Sequence, residues 1–253
     1  MCRHLAYLGD EATLHSLVIA PEHSLYRQAW APRLQRYGTV NADGFGVGWY
    51  AGRDELPARY RRAVPMWSDP SFADVARVTR TRCLLAAVRS ATPGMTADES
   101  ASAPFASGRW LFSHNGAAGG WPGSLAALAA TLAPERLLAL ESTVDSALLW
   151  ALVLNRLDAG YNAAEALATV ATEASAAAPG RYNFLLTDGE RIWATAHGDT
   201  LFWRSSEHGT VVASEPYDEL PDWREAPEGT VLIATRGSVD LEPIRSRKET
   251  AAP

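Results

Sequence analysis

Hydrophobic positions follow two rhythms along this chain. Towards both ends they fall in short runs, and in the middle they fall at helical spacing. Residues 3–8 predict a short strand, and 10–36 are mixed, with Pro21 and Pro32 as punctuation. The run 41–50, NADGFGVGWY, starts as a turn and then alternates, which predicts a turn feeding a strand, with glycine where backbones pass closely. Arg59 to Val64 is expected to be its partner strand. Residues 70–80 predict a helix, with Asp69 as a cap ahead of Pro70. Leu84 to Val88 has the length and composition of a buried strand. Residues 91–108, rich in Pro, Ser, Gly and Ala, predict a long loop, and such loops are often functional. Arg109 to Ser113 predicts another strand, ending at His114-Asn115-Gly116.

Residues 124–176 form the helical block. Ser124, Ser142 or Thr143, and Asn162 are its expected N-caps. Leu148, Leu149, Leu152 and Val153 make an apolar stripe at helical spacing. From Tyr182 to Arg245 short strands return, separated by Asp188-Gly189, His197-Gly198-Asp199 and His208-Gly209. The acidic, proline-bearing segment 215–229 predicts a surface loop. Strands, then helices, then strands is not the alternation of a doubly wound sheet. The order predicts one α+β domain over residues 2–245, with 246–253 as a frayed tail.

Composition narrows the function classes. Apolar residues make up 47% of the 253 and charged residues 21%, as in ordinary globular proteins. A net charge of -6 argues against nucleic acid or an anionic membrane as the main partner. Lys248 is the sole lysine, which with the abundant alanine reads as coding bias. The start, MCRHLAYLGD, lacks the apolar stretch of a secretory signal, and no run is long enough to span a bilayer, so the cytoplasm is expected. Two cysteines, Cys2 and Cys83, form no disulfide framework. Cys83, in an apolar run, is expected to be a buried inert thiol.

Several motifs are absent. There is no phosphate-binding G-x-x-x-x-G-K-[ST], no dinucleotide G-x-G-x-x-G and no G-x-S-x-G elbow. Cys2 and His4 alone, on a strand at a chain end, make a poor closed zinc site, and no metal is expected. The arginine clusters 59/61/62 and 77/80/82 read as solvated faces.

The candidate chemistry begins at Cys2. Loss of Met1 would place a thiol and a free α-amino group on one residue. Such an amine, with a pKa of roughly 7.7–8.0, is a competent general base. Cys2 is accompanied, in order, by NADGFGVGWY, AAVRSATPG, FSHNG and ESTVDS. This ordered set resembles the glutaminase domain of the class II glutamine amidotransferases, a family of N-terminal-nucleophile hydrolases. The resemblance covers nearly the whole chain and implies a four-layer αββα sandwich. It implies Cys2 as nucleophile, Arg89 as the grip on a substrate α-carboxylate, and Thr92 beside it. It further implies Asn115 and Gly116 as the oxyanion hole, and Asp145, next to Ser146, as the partner of the substrate α-ammonium. His114, of the same H-N-G run, joins the candidate pocket. Each has a plainer reading: Arg89 as a strand-end ion pair, Asn115-Gly116 as a hairpin turn, Asp145 as a first-turn helix acid.

Four positions depart from the family pattern: Pro93, Ala103, Val144 and Ala147. They leave the γ-glutamyl grip intact and alter its surroundings. The segments MCRHLAYLG, PEHSLYRQAW, RYRRAVPMWSD and AAVRSATPGM are similar to the stand-alone hydrolases of ergothioneine biosynthesis. That implies a γ-glutamyl small-molecule substrate, γ-glutamyl-hercynylcysteine sulfoxide, and no cofactor. The leaving group carries a trimethylammonium, which aromatic faces hold well. Trp30, Trp49 and Trp67 lie in the most similar segments and are the candidates for that contact. Two other activities stay open: a glutaminase subunit feeding ammonia to a separate synthase, and a non-catalytic γ-glutamyl-binding module. The sequence leaves a homo-oligomer open.

Overall fold

The computed structural model describes residues 2–52, 54–92 and 98–245. The expected tail at 246–253, and Met1 and Pro93 of the motifs, lie outside the described residues.

The chain opens with β1 (Arg3–Thr13), the short helices α1 (Leu14–Val18) and α2 (Leu25–Gln28), and the strands β2 (Phe45–Trp49) and β3 (Ala58–Arg62). Helix α3 (Pro70–Val78) leads into β4 (Arg80–Val88), followed by β5 (Phe105–Ser107) and β6 (Trp110–Ala118). Four helices come next: α4 (Ala126–Ala129), α5 (Pro134–Leu138), α6 (Asp145–Asp158) and α7 (Ala163–Ala177). The remainder is β7 (Gly180–Thr187), β8 (Ile192–Ala196), β9 (Phe202–Ser206), β10 (Gly209–Ala213), β11 (Arg224–Glu225), β12 (Thr230–Ala234) and β13 (Val239–Pro243).

Among the described residues the strands form two antiparallel sheets, ordered β11-β9-β10-β1-β4-β2-β3 and β13-β12-β8-β7-β6-β5. Period-two alternation sorts each central strand between two cores. On β1, Leu5 and Tyr7 face the α1–α3 side, whereas Ala6 and Leu8 join the core between the sheets. On β4, Leu84, Ala86 and Val88 take the first side, and Cys83 and Leu85 the second. On β7, Tyr182, Phe184 and Leu186 pack with α6 and α7, and Leu185 turns inward. Burial on both faces explains why these strands read as nearly continuous apolar runs. The layers are therefore helices, sheet, sheet, helices: a four-layer αββα sandwich of the α+β class. Among the described residues no helix is long and apolar enough to cross a membrane.

Several sequence expectations change. The strand expected over 3–8 runs on to Thr13, with a register shift between Leu8 and Ala12. The strand expected to stop before His114 continues through it to Ala118, so Asn115-Gly116 is strand interior and not a hairpin turn. The 91–108 segment contains the edge strand β5. Asn162 caps α7 with a reciprocal capping box. The residue before α6, by contrast, is Val144, which has no capping side chain, and Ser124 falls inside a short 3-10 turn. The surface loop expected at 215–229 begins with a fully buried Glu215. Arg59 and Arg61 are not simply solvated: both pair with Glu141, at 2.9 and 2.8 Å, and tie β3 to the segment before α6. Asp69 does cap α3, accepting the Phe72 N–H at 3.2 Å. Cys83 is buried, and burial pushes its thiol up to about 12.

Candidate active site

Antiparallel pairing brings the start of β1 to the end of β4, with Arg3 opposite Val88. Cys2, one residue before the strand, therefore meets Arg89, one residue after its partner. The turn at 41–44 fixes that strand end. Arg89 donates its N–H to the Gly44 carbonyl at 2.8 Å and accepts the Asp43 N–H at 2.9 Å. The Asp43 carboxylate accepts the Ala91 N–H at 2.8 Å. Gly44 has φ +131°, and a Cβ there would sit 2.3 Å from Ser102 Oγ, so this turn requires glycine. Asn41, fully buried, holds the other side through the Gln28 carbonyl at 2.9 Å. The N-A-D-G run is thus the brace of Arg89.

From the second sheet, β6 contributes His114 and Gly116. A Cβ at Gly116 would lie 1.9 Å from the Arg181 carbonyl oxygen and 2.4 Å from His114 Nε2, so only glycine fits. Helix α6 contributes its first two residues. Asp145, buried, accepts the Ala118 N–H at 3.0 Å and the Ser146 N–H at 2.8 Å. That locks the carboxylate to β6.

These pieces line a narrow cavity of about 30 Å³ that opens to solvent. Its walls include Cys2, Arg89, Thr92, His114, Gly116, Asp145 and Ser146, together with Ala103 and Val144. Cys2 is half-buried. Ala103 and Val144, two of the departures, thus line the cavity with small apolar side chains. Ala147 instead packs into the helical core.

The protonation of His114 follows from its partners. Nε2 lies 2.9 Å from the Arg181 carbonyl, which only accepts, so Nε2 carries the hydrogen. In the neutral ring Nδ1 then accepts from the Ser146 hydroxyl at 3.0 Å. Burial holds the His114 pKa below its ordinary value, with Asp145 opposing. The imidazole is therefore a neutral, oriented wall.

Four candidates are placed elsewhere. Asn115, between His114 and Gly116 on β6, is not among the residues that line the cavity. Its Nδ2 lies 3.4 Å from both Asp199 Oδ2 and Ser214 Oγ, while its buried Oδ1 has no partner. Trp30 and Trp67 contact each other edge-to-face at 5.6 Å; Trp30 packs on the outer face of the first sheet, and Trp67 is exposed. Trp49 sits opposite Leu84, four residues along β2 from Phe45, a strand rise of about 13 Å. None of the three tryptophans lines the cavity.

The sequence reading missed Arg3, Asp199 and Glu215, all fully or nearly fully buried beside Cys2 and Asn115. Charge next to an N-terminal cysteine was the available signal, and only the fold brings the two acids to it.

Comparison with known proteins fits this geometry. Residues 22–206 match the family described as glutamine amidotransferases class-II. The chain belongs to the class-II glutamine amidotransferases. Within the class-II family, a γ-glutamyl-hercynylcysteine sulfoxide hydrolase of Mycolicibacterium smegmatis is 42% identical over 244 residues, covering 96% of this chain and 100% of the relative. Among solved structures, a class-II domain protein from Silicibacter pomeroyi shares 25% identity with a TM-score of 0.71, covering 96% of this chain and 100% of its own. The glutamine phosphoribosylpyrophosphate amidotransferase of B. subtilis aligns with TM-score 0.66 at 15% identity, over 96% of this chain and 49% of that one, and shares the class-II fold.

Proposed function

We propose that this chain, as one domain over residues 2–245, hydrolyses the γ-glutamyl amide bond of γ-glutamyl-hercynylcysteine sulfoxide. The products are glutamate and hercynylcysteine sulfoxide. The observation that carries the chemistry is the single cavity lined at once by Cys2, Arg89, Gly116 and Asp145. The leaving group follows from the full-length similarity to the M. smegmatis hydrolase.

Arg89 offers a planar fork to the substrate α-carboxylate, with Thr92 beside it. Asp145, fixed by two backbone N–H groups, takes the α-ammonium. His114 and Ser146 hold that carboxylate's surroundings. The Cys2 sulfur, with Met1 removed, attacks the γ-carbonyl, and its proton passes to the α-amine. The Gly116 N–H meets the developing oxyanion. Asn115, next to Gly116 on β6, joins it by a rotation of its whole amide group that carries Nδ2 from its two long contacts towards the tetrahedral oxygen. The α-amine then protonates the leaving nitrogen, the C–N bond breaks, and water hydrolyses the thioester with the same amine as base. The chain's own groups suffice for these steps. Small Ala103 and Val144 leave room around the γ-glutamyl head.

The test is glutamate release by the wild type and by Cys2→Ala from γ-glutamyl-hercynylcysteine sulfoxide and from glutamine at equal concentration. Cys2-dependent turnover that favours the sulfoxide is expected. Preference for glutamine would overturn the substrate assignment, and activity surviving in Cys2→Ala would overturn the nucleophile.

A further inference from the structure

Cys2 stands one residue outside β1, so the strand ladder does not hold it. A nucleophile there needs something other than strand pairing to hold it. Arg3 supplies a contact of that kind. Its side chain is the largest that is fully buried. Nε donates to the Cys2 carbonyl at 3.1 Å, and one terminal nitrogen donates to Asp199 Oδ2 at 3.1 Å. The other lies 3.5 Å from Thr200 Oγ1 and 4.0 Å from Glu215 Oε2.

Both acids are themselves anchored. Asp199 accepts the Thr200 N–H at 2.8 Å on its other oxygen, and its backbone N–H donates to Asn183 Oδ1 on β7 at 3.1 Å. Its Oδ2, shared with Arg3, also faces Asn115 Nδ2. Glu215 accepts the backbone N–H groups of Arg33 and Leu34 at 3.0 and 2.9 Å. One cation between two carboxylates, all without solvent contact, is a costly arrangement. Buried ion networks of this kind are often no more stabilising than packed apolar side chains. Their geometry, however, is fixed.

We propose that Arg3 is a positioning residue for Cys2. Clamped by Asp199 and Glu215, it fixes the Cys2 carbonyl through Nε, while Asp199 sets the Asn115 amide, so one buried cation aligns nucleophile and oxyanion donor. This rests on the reading of Cys2 as the nucleophile. Lysine would keep the charge but not the fork, since one ammonium cannot serve the Cys2 carbonyl and Asp199 in the same planar geometry.

The experiment compares full-length wild type, Cys2→Ala, Arg3→Lys and Asp199→Asn. It measures kcat with γ-glutamyl-hercynylcysteine sulfoxide, and inhibition by free glutamate as a readout of the head-group grip. Arg3→Lys is expected to lose about 100-fold in kcat while glutamate inhibition stays within about twofold. Asp199→Asn, nearly isosteric, is expected to lose kcat in the same selective way. Equal losses in kcat and glutamate binding would show a structural role only and overturn the proposal. So would kcat within about threefold of wild type in both variants. Should Arg3→Lys not fold, Asp199→Asn decides by the same criteria. Activity in Cys2→Ala would instead overturn the underlying reading of the site.

Discussion

Single atoms decide much at this site. Gly116 has no room for a Cβ: the Arg181 carbonyl oxygen would be 1.9 Å away. Gly116→Ala must displace β6 from β7, at a cost of about 1–3 kcal/mol, and shift the proposed oxyanion donor. The expected result is a lower melting temperature and a kcat reduced by about 100-fold or more, read by thermal melts and glutamate release. The two cysteines differ as sharply. Cys2 is half-exposed, while Cys83 is buried with its thiol pushed up to about 12. Iodoacetamide at neutral pH is therefore expected to add one carbamidomethyl group to the native protein and none to Cys2→Ala, as measured by intact mass.

The buried histidines carry a pH signature. Burial holds His4 well below the ordinary value of 6.5, and its Nε2 has no partner; His114 is also lowered by burial. A histidine lowered in the folded state takes up its proton more readily when unfolded. Its contribution is thus complete above pH 6.5 and declines as the pH falls from there towards the folded-state pKa. The slope is at most about 1.4 kcal/mol per pH unit for each such group. Melts at about pH 7.5 and about pH 5 should show an acid-side loss that shrinks in His4→Gln. An unchanged pH difference in that variant would remove His4 from the account.

At the scale of elements, what was legible is what local physics dictates. The Asp69 cap, the Asn162 cap, the β2–β3 pair and the apolar run of β4 all follow from neighbours in sequence, and all form as expected. The candidate site residues Cys2, Arg89, Gly116 and Asp145 came from a resemblance, and one cavity is lined by all four. What was not legible depends on distant partners. Glu215 opens an acidic, proline-bearing stretch that looks solvated, yet Arg3 and the 33–34 backbone bury it completely. Asn115-Gly116 looks like a turn, yet pairing with β7 keeps it extended. Of the tryptophan candidates, Trp49 on β2 and Trp30 just after α2 pack against the first sheet's outer core, outside the cavity lining. The Asn162 box offers a clean test. Asn162→Ala removes a cap from α7, whose residues are not among those lining the cavity, at a cost of about 1 kcal/mol. Melting temperature should fall while kcat stays unchanged below the transition.

The whole molecule places its site at one end of the seam between two sheets. Cys2 and Arg89 come from the first sheet, and Gly116 from the second. The opposite end needs its own fastening, and Tyr50 provides one. It follows β2 in the first sheet, and its hydroxyl donates to the carbonyls of Arg109 at 2.6 Å, just before β6, and of Thr187 at 3.0 Å, the last residue of β7. Burial raises its pKa, so the phenol keeps its hydrogen to share between the two acceptors. Gly189 makes room for the ring: a Cβ there would lie 2.9 Å from Tyr50 Cδ1. Tyr50→Phe keeps the ring and deletes only the donor, at an expected cost of about 1–2 kcal/mol, or a few degrees in melting temperature. Phe45 lines the cavity and Tyr50 lies five residues beyond it, so about 16 Å of strand separates the pin from the chemistry. The variant should therefore melt earlier and turn over at the wild-type rate at low temperature. A parallel fall in kcat would mean that the seam transmits strain from end to end, and that the two halves of the site are held in register by its far edge as well as by Arg3.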